Sequence, residues 1–205
     1  ALQTAMNELS NHDHSRFLTR TNHRVGRISY AGPEAASENV QPAVMREAVA
    51  MQMTWPGAPT VYYGDEAGLC GFTDPDNRRT YPWGREDYQM IDFHKAMIRI
   101  HKQYEILKNG SLAFLWNDYQ GLAYTRFSRK EQIIVIVNNR EEREVEIQLW
   151  QAGIKHSSDV KLERIMVSDR NNFTEERQEY TAKAGVLRVQ MPALGVMVLY
   201  HKNEK

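Results

Sequence analysis

The sequence predicts an α/β segment over residues 1–109, followed by an all-β antiparallel sandwich over residues 110–205. Three observations lead there. Two stretches before residue 109 carry apolar residues at helical spacing. A short β-branched and aromatic run lies between them. At Asn109-Gly110 the pattern changes, and only strand-like runs and turns follow. The chain has 205 residues, room for one large domain or two small ones.

The elements follow in order. Residues 1–10 are mildly apolar and lead into the polar cluster Asn11-His12-Asp13-His14-Ser15-Arg16. Residues 20–40, rich in Gly, Ser, Asn and Arg with Pro33 inside, read as a long loop. A helix is expected over 41–54, with Pro42 in its first turn and Val44, Ala48, Met51 and Trp55 on one apolar face. Pro56-Gly57 stops it. Thr60-Val61-Tyr62-Tyr63 reads as a buried strand, which places Tyr62 and Tyr63 in the core. Residues 64–86 form a second long loop. A second helix spans about 87–107, with Met90, Phe93, Met97, Ile100, Tyr104 and Leu107 on one stripe. The strand-like runs are Leu112–Trp116, Leu122–Phe127, Gln132–Val137, Val145–Trp150, Val160–Val167, Val186–Met191 and Val196–Tyr200. Their spacing argues an antiparallel sandwich, with the charged stretch Arg140–Glu146 as a solvated turn and strand edge.

Composition narrows the partners. Lys plus Arg number 26 and Asp plus Glu also 26, so no net field favours nucleic acid or an anionic membrane. No apolar run is long enough to span a bilayer. Cys70 stands alone, which rules out a disulfide within the chain and reads as an inert buried thiol. The opening residues lack the basic start of a signal peptide, and a cytoplasmic location is expected. They also begin inside structured-looking sequence, the mark of a fragment. No cofactor is expected.

The cluster at residues 11–16 admits two chemistries. His12-x-His14 on a strand would turn both imidazoles to one side and could hold a metal. Alternatively, Asp13 is a carboxylate presented at a strand end, where βα architectures place function. Asp65 and Glu66 also sit side by side, but adjacent strand residues point oppositely, against joint acid/base work.

Three motifs decide. "NHDHSRFLTR", "PGAPTVYYGDEAGL" and "DPDNRRTYPW" occur in that order. Together they resemble the C-terminal part of the α-amylase superfamily, glycoside hydrolase family 13, most of all its neopullulanase, cyclomaltodextrinase and α-glucosidase branches. The resemblance covers about residues 1–109 with specific motifs. It implies the last two βα units of a (β/α)8 TIM barrel, with Thr60–Tyr63 as the eighth strand, and then a C-terminal β-sandwich. It implies that Asp13 is the transition-state-stabilising carboxylate, that His12 binds the same sugar, and that Asp74 and Arg78 bind the next one. Arg16 either reaches the substrate or pairs with an acidic neighbour. Tyr81 and Trp83 are placed to stack on a pyranose face. No metal is implied.

A retaining glycosidase needs two carboxylates about 5–5.5 Å apart. In this family the nucleophile lies in a Gly-x-Arg-x-Asp type motif and the acid is a separate Glu, and neither motif occurs here. A barrel of this type takes about 250 residues on its own. The expectation is therefore a fragment that hydrolyses nothing alone. It would need the remainder of the barrel, or another copy of the chain, to act on an α-glucan oligosaccharide. The alternative is a non-catalytic carbohydrate-binding or assembly module.

Overall fold

A computed structural model describes residues 4–24 and 26–203. Its first half holds a short parallel pair, β1 (Met6–Asn7) and β2 (Ala58–Pro59), in the register Met6 to Ala58 and Asn7 to Pro59. Between them run the short helices α1 (Phe17–Arg20) and α2 (Ile28–Ala31) and the long α3 (Pro42–Thr54). After β2 come α4 (Tyr88–Gln103) and α5 (Ile106–Asn109). The strand expected at Thr60–Tyr63 is therefore displaced upstream. Its last ladder bond is Thr60 N–H to the Asn7 carbonyl, 2.9 Å. Beyond it Val61 and Tyr63 are exposed rather than in the core, and Tyr62 is half-buried. A pairing partner, not a β-prone composition, ended the strand.

Helix α4 matches its expectation: Met90, Phe93, Met97 and Ile100 are all buried. The Asp87 carboxylate caps it by accepting from Met90 N–H at 3.0 Å. It ends earlier than 107, because Tyr104 turns extended before α5 begins. Helix α3 differs. Met45, Val49 and Met53 are its deeply buried residues, while the expected stripe of Val44, Ala48, Met51 and Trp55 is only half-buried. The reason is that α3 is covered on more than one side, by α4 and by the β half.

Among the described residues the β half holds nine strands: β3 (Ser111–Asp118), β4 (Gly121–Phe127), β5 (Glu131–Asn138), β6 (Arg143–Gln148), β7 (Val160–Ser168), β8 (Phe173–Thr174), β9 (Gln178–Ala182), β10 (Val186–Met191) and β11 (Gly195–Lys202). Seven form one antiparallel sheet, in the order β3-β4-β5-β11-β7-β8 with β9 also on β7. Strands β6 and β10 form a separate antiparallel ribbon. β6 stops at Gln148, short of Trp150, which opens a 3-10 turn instead.

Alternation along the central strands assigns the layers. Ile134 and Ile136 of β5, with Met197 and Leu199 of β11, pack against Val145, Ile147, Leu187 and Val189 of the ribbon. Ile133, Val135 and Val137, with Val196 and Val198, pack instead with Met45, Val49, Phe93 and Met97 of the helices. The large sheet is thus covered on both faces, by the ribbon on one and by the helices on the other. A strand buried on both faces reads as a continuous apolar run, which is what Ile133–Val137 is.

One charge seals the junction. Arg126 of β4 is fully buried and donates to the carbonyls of Thr54 and Leu107, both at 2.8 Å, and of Gly110 at 2.9 Å. It caps the C-terminal ends of α3 and α5, where a cation is favoured.

Candidate active site

The polar cluster after β1 is a turn, not a strand. Asn11 Oδ1 accepts from the backbone N–H groups of Asp13 at 2.9 Å and His14 at 3.0 Å. Such a side chain replaces a strand partner with a local one. The strand rule that would have converged His12 and His14 therefore does not apply. His14 faces a hollow of about 650 Å³ lined also by Glu8, Ser10, Phe17 and Arg20. His12 turns toward Asp13, with Nε2 3.5 Å from Oδ1. Both side chains are about two-thirds exposed, at 68% and 65%.

Between 60 and 66 residues later, the loop 73–79 closes against this turn. Thr73 Oγ1 donates to the Asp13 carbonyl at 3.0 Å, and Arg78 Nε to the His12 carbonyl at 3.2 Å. Asn77 Nδ2 donates to the carbonyls of Asn11 at 3.0 Å and His14 at 2.7 Å. Arg78 in turn pairs with Asp74 at 2.6 Å, both half-exposed. Asp13, His12, Asp74 and Arg78 are thus brought onto one surface. The loop is shaped by the cis Asp74–Pro75 peptide and a 3-10 turn over Asp76–Arg78. Asp76 is buried, accepting from Phe72 N–H and from two nitrogens of Arg79 at 2.8 and 2.9 Å. Tyr81 and Trp83 follow, their rings 4.5 Å apart between centroids, with Trp83 standing out into solvent.

Arg16 does not reach this surface. Its side chain is fully buried and pairs with Asp65 at 3.0 Å. It also donates to the carbonyls of Tyr63 at 2.6 Å and Asn77 at 2.8 Å. The guanidinium lies 4.1 Å from the Tyr62 ring centroid and 4.7 Å from that of Tyr63. Of its two readings, pairing with an acidic neighbour describes it: the guanidinium is closed off from solvent and bonded to Asp65 and two carbonyls, with Nη2 buried and unpartnered among the described residues. Asp65 sits in a 3-10 turn, Asp65–Ala67, rather than a strand. Burial pushes its carboxyl up from the usual range, outweighing the Ser10 and Arg16 bonds that pull it down. Cys70 is buried, and burial pushes its thiol up as well.

Asn77 and Thr73 escaped the sequence reading as site residues. The available signal was position: Asn77 lies inside Asp74-Pro75-Asp76-Asn77-Arg78, and Thr73 just before it.

The profile of the α-amylase family, described as "Alpha amylase, catalytic domain", matches residues 2–153, well into the β half. The "Cyclomaltodextrinase" of Thermoanaerobacter pseudethanolicus is 35% identical over 141 residues, 68% of this chain and 22% of that protein. "Neopullulanase 2" of Thermoactinomyces vulgaris is 34% identical over 160 residues, 76% of this chain and 24% of that protein. The chain spans less than a quarter of either relative's length. The crystal structure of an α-amylase from Geobacillus thermoleovorans, complexed with acarbose, superposes with a TM-score of 0.75 at 22% identity. That match covers 98% of this chain and 39% of the other, and shows a shared fold.

Proposed function

The chain belongs to the α-amylase family by its catalytic domain, and from that premise we propose that it is part of a retaining glycosidase acting on α-glucosidic bonds of starch-type oligosaccharides. In this reading β1–α3 and β2–α4 are the last two βα units of a (β/α)8 barrel, and residues 110–205 are the domain that follows it. Asp13 stabilises the oxocarbenium-like transition state, His12 holds the same sugar, and Asp74 with Arg78 holds its neighbour. One observation carries the reading: bonds from Thr73, Asn77 and Arg78 to backbone carbonyls of residues 11–14 set these four side chains on one open surface.

The chemistry follows from charge. A fixed carboxylate helps most where positive charge develops, and hydrogen bonds to ring hydroxyls can strengthen in the transition state. The sequence contains no Gly-x-Arg-x-Asp. We assign the nucleophile and the acid to residues outside these 205, so the chain alone is expected to hydrolyse no chromogenic maltooligosaccharide.

The test is steady-state kinetics on the complete enzyme. Asp13→Asn keeps the shape and removes the charge, and should cost on the order of 100–1000-fold, mainly in kcat. Asp74→Ala removes contacts shared by ground and transition states, so KM should rise with kcat less affected. A near-normal kcat for Asp13→Asn would reduce the turn to scaffolding.

A further inference from the structure

Asn77 is the crossing point of the three segments that build the site. Its side chain is fully buried, yet every hydrogen bond it makes goes to backbone. Nδ2 spans the Asn11 and His14 carbonyls, the two ends of the turn that carries His12 and Asp13. The Asn77 carbonyl accepts from Arg16 Nε, and Arg16 holds the Tyr63 carbonyl and Asp65. Among the described residues Asn77 Oδ1 is buried without a partner. An amide kept in the interior with one end unsatisfied is costly. Its donor end is the part that does the holding.

Neither neighbour of Asn77 in the loop spans both ends of the turn. Asp76 is occupied with Arg79 and Phe72 N–H, and Arg78, half-exposed on its pair with Asp74, adds one bond, from Nε to the His12 carbonyl. Thr73 adds only one bond, to the Asp13 carbonyl. The local bonds from Asn11 Oδ1 fix the turn's shape but not its place relative to the loop 73–79.

Resting on the glycosidase reading of Asp13, we propose that Asn77 is a positioning residue: its amide clamps the Asn11–His14 turn, with Thr73 as the secondary clamp, so that the Asp13 carboxylate is held where transition-state charge develops. The clamp touches no sugar. It acts through the placement of Asp13, and so affects the transition state more than ground-state binding.

The experiment uses the complete enzyme that carries this chain, with Asn77→Ala, Thr73→Val, the double variant and Asp13→Asn measured side by side. Placement errors near 1 Å cost about 100-fold in rate. Asn77→Ala should therefore lose on the order of 10–100-fold in kcat, with KM changed less than about threefold. It should also weaken binding of an inhibitor with a protonated ring nitrogen, a mimic of the charged state, and leave binding of a neutral maltooligosaccharide nearly unchanged. Thr73→Val should show the same pattern at smaller size and be non-additive with Asn77→Ala. Thr73→Val alone still tests the clamp if Asn77→Ala fails to fold. A purely structural role would lower the melting temperature and weaken neutral and charged ligands alike, and that result overturns the inference. Normal kcat in both variants, with Asp13→Asn impaired, overturns it too while sparing the glycosidase reading. A normal kcat in Asp13→Asn overturns both.

Discussion

Two Arg–Asp pairs, one in each half of the molecule, look alike on paper and differ in every physical respect. Arg16–Asp65 lies in the loop-built half with side chains 0% and 5% exposed. Arg143–Asp118 joins β6 to the end of β3 with side chains 21% and 32% exposed. The first pair is the interior of its region. In the loops around it the Arg16 guanidinium satisfies the carbonyls of Tyr63 and Asn77, while the Asp76 carboxylate accepts from Phe72 N–H and Arg79. The second decorates a sheet whose interior is already filled by Ile134, Ile136, Val189 and Leu199. The loops that present the site are held by directional polar bonds, whereas the helices of that half and the β half are held by non-directional burial.

Breaking the buried pair is the largest expected effect. Arg16→Met leaves Asp65 buried without its cation and frees the carbonyls of Tyr63 and Asn77. Removing one partner of a buried pair typically costs about 3–5 kcal/mol. Chemical denaturation should show a loss of this size, and a loss below about 1 kcal/mol would mean that the pair is not part of the framework. The reverse inference does not hold. Because burial pushes Asp65 up despite Arg16, the pair is expensive to break without being a large net source of stability.

That difference decides what the sequence disclosed. The β half was legible because burial writes itself as alternation: Val186, Leu187, Val189 and Met191 or the run Ile133–Val137 announce strands directly. What was missed there, β8 and β9, includes the stretch Gln-Glu-Tyr-Thr-Ala (178–182), exposed for most of its length, which pairs with β7 and has no apolar period. In the loop-built half the motifs pointed to Asp13, Asp74 and Arg78, and the fold brought them together. The framework under them was not legible. Nothing in a pattern of residue types distinguishes a buried Arg16 or Asn77 from an exposed one, since their partners, backbone carbonyls and for Arg16 also Asp65, lie 47 to 66 positions away. The Thr60–Tyr63 strand failed for the same reason: composition offers strand propensity, but pairing is a tertiary fact.

The seam between the halves offers an intermediate effect. Glu47 of α3 is buried against the β half, where Asn139 Nδ2 donates to its Oε2 at 2.8 Å and its Oε1 is buried without a partner among the described residues. Burial pushes its carboxyl up from 4.5 to about 8, with the Asn139 bond and Arg46 opposing. The folded state therefore prefers the protonated acid. Its contribution is fully present below about 4.5 and is lost as the pH rises toward about 8, at no more than about 1.4 kcal/mol per pH unit. Glu47→Gln keeps an acceptor for Asn139 and removes the titration. It should stabilise the protein at pH 8, change little at pH 4.5, and flatten the curve between, measured by denaturation across that range. An unchanged slope would place the seam's pH dependence elsewhere.

The exposed pair should give the smallest effect and completes the comparison. Arg143 donates to both carboxylate oxygens of Asp118, holding its carboxyl down from 3.8 to about 2. A depressed carboxyl contributes above its usual value, and the contribution is lost as the pH falls through about 2. The shift overstates the energy, because both groups stay in contact with water that screens them. Arg143 also donates to Asn138 Oδ1 at 2.8 Å and lies 5.1 Å from the Trp116 ring centroid, so it stays placed without Asp118. Asp118→Asn should cost about 0.2–1 kcal/mol at neutral pH, less in high salt, and nothing near pH 2. Denaturation of this variant beside Arg16→Met, at low and high salt, measures the difference between the halves directly. A salt-independent loss as large as that of Arg16→Met would show that environment does not separate the two pairs.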